Sequence, residues 1–355
     1  MISFGWGFGD CNMKCRHCYN ASCPQAPEYE FEELKLMADR ICPEASDLNY
    51  GTGEFIFNPH VLALAEYIKE KYPQVKQALT TNGASFILMG PDKAKKIFHD
   101  IDVSLDYPDE ESHKRFRGHP LAWKWVMETL EACQDFKIEA SIVTCVTSQT
   151  TNEDIERFLE LCLQYGVSWR INWFRRTGRG KAELQLSTER VWEIMEFLSK
   201  RVVFEALDPL MASILGVVKP DLRGCACGRK SCRIQTDTTV TPCVFLKGKQ
   251  WSGGSIRENN LKQIFQSKIF QTFRKRKPEF CLSCPYWESC LGGCGSRAYL
   301  HAGGLDKPDD YCPIAAGLPL DWIKETKIEM IETNKVHSGY LCTLICRPKV
   351  VECLL

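Results

Sequence analysis

From residue 2 to about residue 205, short β-rich apolar runs alternate with stretches whose apolar positions recur every three or four residues. The runs predict strands over 2–4, 47–50, 75–80, 101–105, 138–146 and 168–174. The periodic stretches predict helices over 30–41, 61–72, 123–136, 151–165 and 190–203. In the first helix Phe31, Leu34, Met37, Ala38 and Ile41 share a face. In the fourth, Thr151 with Asp154 predicts a capping box and Gly166 a stop. Strand and helix in alternation mean a parallel sheet with crossover helices. About six units are present, short of the eight of a closed barrel, so the expected fold is α/β with a partial (β/α)6 TIM barrel over 1–205. Polar, glycine-bearing segments follow the strands, and that end of a parallel barrel is its active face.

Beyond 205 the pattern changes. Residues 206–224 read as a bridge, partly helical and closed by Pro220 and Gly224. A cysteine-rich stretch follows, with a short hairpin over 233–243 and a helix over 261–273. One further helix is expected over 320–334, then a tail with Cys342, Cys346 and Cys353. There is no internal repeat and no low-complexity segment.

Composition narrows the class. The chain has 355 residues, 44% hydrophobic and 25% charged, as in an ordinary globular protein. A formal net charge of zero argues against a nucleic-acid or anionic-membrane partner. No apolar run nears the ~18 residues of a membrane span, and the glycine-rich start lacks the layout of a signal peptide. Cysteine stands out, with 20 residues. In a long chain without an export signal, dense cysteines point to metal or redox chemistry in a reducing compartment, the cytoplasm. Cys133, Cys145 and Cys162 lie in apolar segments and read as core, and Cys23 and Cys42 read as structural.

The first loop carries Cys11, Cys15 and Cys18, spaced Cys-x3-Cys-x2-Cys after a short apolar run. Three thiolates on one loop can hold three irons of a four-iron cube and leave the fourth open. Zinc prefers four protein ligands in a closed site, which a bare triplet does not offer. The spacing resembles the radical S-adenosylmethionine (SAM) superfamily, whose open iron chelates SAM. By that resemblance Gly53 and Glu54, in Gly51-Thr-Gly-Glu54, hold the SAM amino group. Asn82, Ser104 and Asp106, after the third and fourth strands, reach its ribose and carboxylate. Arg117 pairs the carboxylate, and Val146 touches adenine. Each has a plainer reading: a solvated turn for Glu54, a surface arginine for Arg117, core packing for Val146. Arg175, Arg176 and Arg179 either bind an acidic substrate or form a solvated connection.

The second cysteine block is Cys281-x2-Cys284-x5-Cys290-x3-Cys294, with Cys312 beyond it and Cys225, Cys227, Cys232 and Cys243 before it. Zinc knuckles also use such pairs. The pattern resembles the SPASM extension, a small α+β domain expected over 225–315, which binds two auxiliary [4Fe–4S] clusters. The resemblance places Cys281, Cys284, Cys290 and Cys312 on one cluster. It places Cys225, Cys243, Cys294 and a fourth ligand, Cys232 or else Cys227, on the other. Where the family has a glycine, five residues before Cys243, this chain has Thr238. Where sulfatase-maturing members have a catalytic aspartate it has Val244, which argues against that activity. No catalytic acid or base is assigned.

The resemblance implies three [4Fe–4S] clusters with SAM, an electron donor such as flavodoxin or ferredoxin, and a ribosomally made precursor peptide as substrate. With the first cluster cysteine at residue 11, a separate leader-peptide recognition protein is expected. The alternatives are a radical SAM enzyme acting on a small molecule, and a non-enzymatic iron–sulfur or zinc protein.

Overall fold

A computed structural model describes residues 2–22, 27–220, 223–339 and 342–349. Cys23 and Cys353 lie outside the described residues. Six parallel strands, β1 (Ile2–Gly7), β2 (Ala45–Thr52), β3 (Lys76–Thr81), β4 (Asp100–Ser104), β5 (Ala140–Val146) and β6 (Ser168–Trp173), pair in chain order. Their crossovers include α1 (Phe31–Ile41), α2 (Val61–Lys71), α3 (Ala84–Met89), α4 (Pro91–Ile97), α5 (Glu110–Arg117), α6 (Ala122–Asp135) and α7 (Asn152–Tyr165). The capping box at Thr151 is formed.

Strand alternation divides the chemistry. In β4, Ile101 and Val103 join the apolar core with the helices, while Asp102 faces Arg170 and Ser104 lines an internal cavity. The same period puts Asn49, Thr80, Val143, Cys145, Arg170 and Asn172 inside the barrel. The interior is therefore polar and partly hollow, enclosed by an apolar shell.

Past β6 the chain departs from its pattern. The helix read over 190–203 is α8 (Thr188–Ser199), and the chain returns as β7 (Val202–Ala206). The bridge then carries a buried helix, Pro209–Ile214. The cysteine-rich region begins with β8 (Ser231–Ile234), which extends the barrel sheet beside β1, and β9 (Val240–Thr241) closes the hairpin. The helix read over 261–273 is two, Leu261–Phe265 and Lys268–Arg274, split by a helix start at Ser267.

The helix expected over 320–334 is reduced to one turn, Trp322–Glu325. Its remainder runs extended along β7: the Phe204 N–H donates to Glu329 O at 2.9 Å and the Ile331 N–H to Phe204 O at 2.8 Å. An open edge and β-branched Ile328, Ile331 and Thr333 outweigh the helical spacing. The tail, expected to carry buried or disordered thiols, contributes β10 (Leu344–Pro348), inserted antiparallel between β6 and β7. One ten-stranded sheet results, and its ends, β7 and β9, do not pair with each other.

Candidate active site and auxiliary cysteine sites

Cys11, Cys15 and Cys18 line one cavity of about 150 Å³ at the C-terminal ends of the parallel strands. Contacts from four crossovers hold their loop. The Glu54 N–H donates to Asp10 O at 2.6 Å, and the Arg16 N–H to Phe116 O at 3.0 Å. The Arg179 N–H donates to Cys18 O, and its Nε to Cys15 O, each at 3.0 Å. Asn82 Nδ2 donates to Asn12 Oδ1 at 2.8 Å. Two glycines permit the approach: a Cβ on Gly53 would stand 2.5 Å from Asp10 O, and one on Gly178 2.2 Å from Cys18 O. Backbone contacts thus place the thiols on the cavity wall.

Gly53, Glu54, Asn82, Ser104, Asp106 and Arg117 all line this cavity. Glu54 is buried, and its carboxylate accepts from Thr81 Oγ1, from the Asn82 N–H at 2.9 Å and from the Ser85 N–H at 3.0 Å. Its visible work is to tie the β2 turn to the start of α3. Asn82 Nδ2 also stands 3.9 Å from Cys11 Sγ. Arg117 is buried, with Nε 2.7 Å from Asp106 Oδ2 and Nη1 3.8 Å from Cys15 Sγ. Burial pushes the Asp106 carboxyl up, but Arg117, with His17 and His113, outweighs it and holds the group below its usual range. Val146 does not line the cavity: it packs in the core, because Val143 and Cys145 take the inward positions of β5.

Beneath the thiols lies a polar group that sequence patterning passed over. Asp102 Oδ2 is 3.2 Å from Arg170 Nη2 and 2.6 Å from Nδ1 of His337, a residue of the tail. Arg170, Asn172 and His337 line the cavity floor. The available signal was the polar residue at every second position of β4 and β6.

Beyond a thin wall lies a second thiol group: Cys225, Cys227, Cys243, Cys294 and Cys342 form one buried cluster. Cys225 Sγ is 3.1 Å from Cys342 Sγ. Cys232, the expected fourth ligand, is set apart: on β8 its side chain turns into the apolar core of the barrel. The wall is Val244 and Phe245, which follow Cys243 and line the first cavity. The Tyr19 ring stands edge-on to Phe245 at 5.5 Å, and the Arg175 guanidinium lies 4.4 Å from the Phe245 centroid.

The arginine loop divides: Arg175 is buried against the second thiol group, while Arg176 and Arg179 stay exposed on a solvated connection. Arg175 is buried and donates to Cys294 Sγ at 3.4 Å, Ser296 Oγ at 3.2 Å and Trp173 O at 2.8 Å. Arg176 donates to Leu300 O at 3.0 Å. With Arg179 on the first loop, the three arginines join the two thiol groups.

Cys281, Cys284, Cys290 and Cys312 surround a third, small cavity of about 20 Å³, with Leu210, Ile214, Trp287 and Asp309. A fully buried charge network ties it to the second group. Arg297 Nε donates to Asp309 Oδ1 at 2.7 Å, and its Nη1 to Asp208 Oδ2 at 2.5 Å. The Cys294 N–H donates to Asp309 Oδ2 at 2.6 Å.

The donor sets fit iron–sulfur clusters. Each constellation is built on cysteine thiols, and the two auxiliary groups carry at least four apiece. The first offers three, opening into a cavity that a cluster and its ligand could share.

A sequence profile of the radical SAM superfamily matches residues 8–162, and one for the SPASM iron–sulfur cluster-binding domain matches 225–285. Mycofactocin maturase MftC of Mycolicibacterium smegmatis is 24% identical over 325 residues, 87% of this chain and 81% of its own. An AdoMet-dependent heme synthase of Methanosarcina barkeri is 26% identical, covering 85% of this chain and 93% of its own. The subtilosin biosynthesis protein AlbA of Bacillus subtilis is 27% identical, covering 80% and 64%. The fold is also that of Streptococcus suis SuiB, solved with precursor peptide SuiA, at a TM-score of 0.70 over 88% of this chain and 75% of that one, with 14% identity.

Proposed function

Since the chain is a radical SAM enzyme with an SPASM extension, we propose that it is a maturase that takes a hydrogen from a ribosomally made peptide and crosslinks, excises or otherwise modifies it. The observation that carries this is the cavity shared by three thiols and the polar strand ends, with a second thiol group directly behind its wall. Relatives named as a mycofactocin maturase and as a bacteriocin biosynthesis protein support the substrate class.

Cys11, Cys15 and Cys18 would hold the SAM-binding [4Fe–4S] cluster. When bound, that cluster supplies the electron that splits SAM into methionine and a 5′-deoxyadenosyl radical. The chain's own residues place the reactants. Glu54 and Asn82 fix the turn facing Cys11, and Arg117 sets a positive charge beside Cys15. Val143 and Cys145 offer an apolar strip on β5 for the adenine side, and Val244 and Phe245 close the far wall against water. Ser104 and Asn172 present polar groups to whatever enters. We assign two auxiliary [4Fe–4S] clusters, one to Cys281, Cys284, Cys290 and Cys312, the other to the group containing Cys225, Cys243 and Cys294. Both would relay the electron that a two-electron product leaves behind. A flavodoxin or ferredoxin as donor, a separate leader-recognition protein and a cytoplasmic setting complete the reading.

One observation favours a second reading. The heme synthase is as similar as the maturases over nearly its whole length, so a tetrapyrrole-type small molecule is the rival substrate. The deciding experiment uses anaerobically reconstituted protein with dithionite and SAM. Formation of 5′-deoxyadenosine, with deuterium carried into it from a labelled peptide, supports the maturase. Deuterium transfer only from a small-molecule substrate replaces the peptide reading. No 5′-deoxyadenosine from cluster-loaded protein removes both.

A further inference from the structure

Five thiols meet at the first auxiliary site, and one of them, Cys342, comes from the end of the chain, 30 positions past the last cysteine of the SPASM pattern (Cys312). A four-iron cluster with complete cysteine ligation needs four. Cys232 is excluded by its place in the core, so the fourth ligand is Cys227 or Cys342.

Direction separates the two. The thiols interact in a row: Cys243 with Cys227, Cys227 with Cys225, Cys225 with Cys342, and Cys342 with Cys294. Cys225, Cys227 and Cys243 all arrive with the β8–β9 hairpin, and only Ala226 separates the first two. Cys294 arrives with the start of helix Gly295–Leu300. The corners of a cube need thiols from diverging sides. Cys342 comes from a third element and fills the gap between Cys225 and Cys294.

We propose that Cys342 is a ligand of the first auxiliary iron–sulfur centre, and that this bond latches the C-terminal stretches 335–339 and 342–348 into the barrel. The proposal rests on the reading that this site holds a cluster. The latch has a reason in the same segment. Two residues before β10, Cys342 precedes Thr343, whose Oγ1 donates to Ile171 O at 2.6 Å, and β10 then pairs with β6 and β7. Upstream, Lys335 Nζ donates to Ala140 O at 3.1 Å, and the Val336 N–H to Asp100 Oδ2 at 2.9 Å. His337 meets Asp102 in the floor of the SAM cavity. The auxiliary centre thereby fixes the stretch that completes that floor. Because metal binding adds its free energy to the folded arrangement, loading the auxiliary site and forming the cavity become one coupled event.

The test compares wild type, C342A and C342S, with C346A as a control on the adjoining strand β10. Full-length protein is reconstituted anaerobically. Iron per chain, the EPR spectrum and midpoint potential of each reduced cluster, and hydrogen exchange of residues 335–339 and 342–348 are measured. Wild type should hold about twelve irons. C342A should fall toward about eight, or keep its iron with one cluster's spectrum changed. C342S should shift the potential of that same cluster alone. Both should exchange faster over these stretches, while C346A keeps the wild-type spectrum. Wild-type iron, spectra and potentials in both Cys342 variants would overturn the proposal and leave Cys227 as the ligand. A wild type that loads only about eight irons removes the underlying reading instead.

Discussion

Arg117 stands between Asp106 and Cys15: its Nε is 2.7 Å from the Asp106 carboxylate and its Nη1 3.8 Å from the Cys15 sulfur. One buried cation thus serves an acid at the end of β4 and a thiol on the first loop. Asp106 Oδ1 in turn accepts the Cys145 N–H at 2.9 Å, which ties β4 to β5. Asp106→Asn leaves the guanidinium without its counter-charge in a buried place. We expect a loss of about 3 kcal/mol in folding stability, at the low end for a broken buried pair. Release of 5′-deoxyadenosine should fall at least about tenfold, because each 1.4 kcal/mol of misplacement is a factor of ten. Urea unfolding and a SAM-cleavage assay check the two effects separately.

Val143 and Val146 should behave oppositely. Val143→Phe intrudes on the cavity and should raise the KM for SAM about tenfold or more, the equivalent of roughly 1.4 kcal/mol. Val146→Ala leaves a hole in the core and should cost roughly 2 kcal/mol of stability with the KM unchanged. A KM effect confined to Val146→Ala would restore Val146 as the adenine contact.

Arg297 is fully buried between Asp208 and Asp309. Arg297→Met fills much of the space but leaves two buried carboxylates without a cation. The expected cost is about 3–5 kcal/mol. Asp309 also accepts the Cys294 N–H and lies beside Cys312 in the third cavity, so the variant should bind less iron at both auxiliary sites. Denaturation midpoints and iron analysis test this. Full iron retention in a folded variant would show that the network does not position the thiols.

Thr238 has φ +70, the left-handed backbone that glycine takes without strain, and its hydroxyl meets Ser255 Oγ at 2.8 Å. The threonine holds this left-handed turn with a hydrogen bond. At an ordinary strand position alanine outranks glycine. Here Thr238→Gly should be more stable than Thr238→Ala by about 1 kcal/mol, because only alanine retains the Cβ clash. Thermal unfolding of the two variants decides the order.

His113 Nδ1 accepts the Asp106 N–H at 3.2 Å. Burial, then the nearby Arg117 charge, lowers its pKa from 6.5 to about 3. The unfolded chain therefore takes up a proton that the folded chain refuses. Stability contributed here is present above pH 6.5 and is lost as pH falls toward 3. At pH 5 the loss reaches about 2 kcal/mol, at 1.36 kcal/mol per pH unit. His113→Gln should flatten that part of the profile, and urea titrations at pH 7 and pH 5 measure it. An unchanged slope would place the proton uptake elsewhere.

Much of the site was legible because its signals are local. Cys11, Cys15 and Cys18 sit within eight residues, and their spacing alone states a three-thiol loop. Cys281, Cys284 and Cys290 sit within ten residues, and the post-strand placement of Glu54, Asn82 and Asp106 follows from alternating periodicity. Cys232 misled because spacing counts residues and does not see orientation. As part of β8 it must alternate, and Arg233 takes the cavity side. Arg175 misled in the same way: a glycine-rich setting suggested exposure, but the SPASM region covers it.

The amino-acid order by itself determined the repeating strand–helix units, the apolar shell, the turns after each strand and the cysteine donor sets, since each depends on neighbours a few residues apart. The tertiary structure alone decided that Cys342 joins Cys225 and Cys294, that His337 meets Asp102, and that β10 enters between β6 and β7. Those contacts join residues more than 45 positions apart. Nothing in local propensity ranks one distant pairing over another. They form because the returning tail supplies a strand between β6 and β7, a second partner for the Asp102 carboxylate beside Arg170, and a further thiol for the auxiliary group.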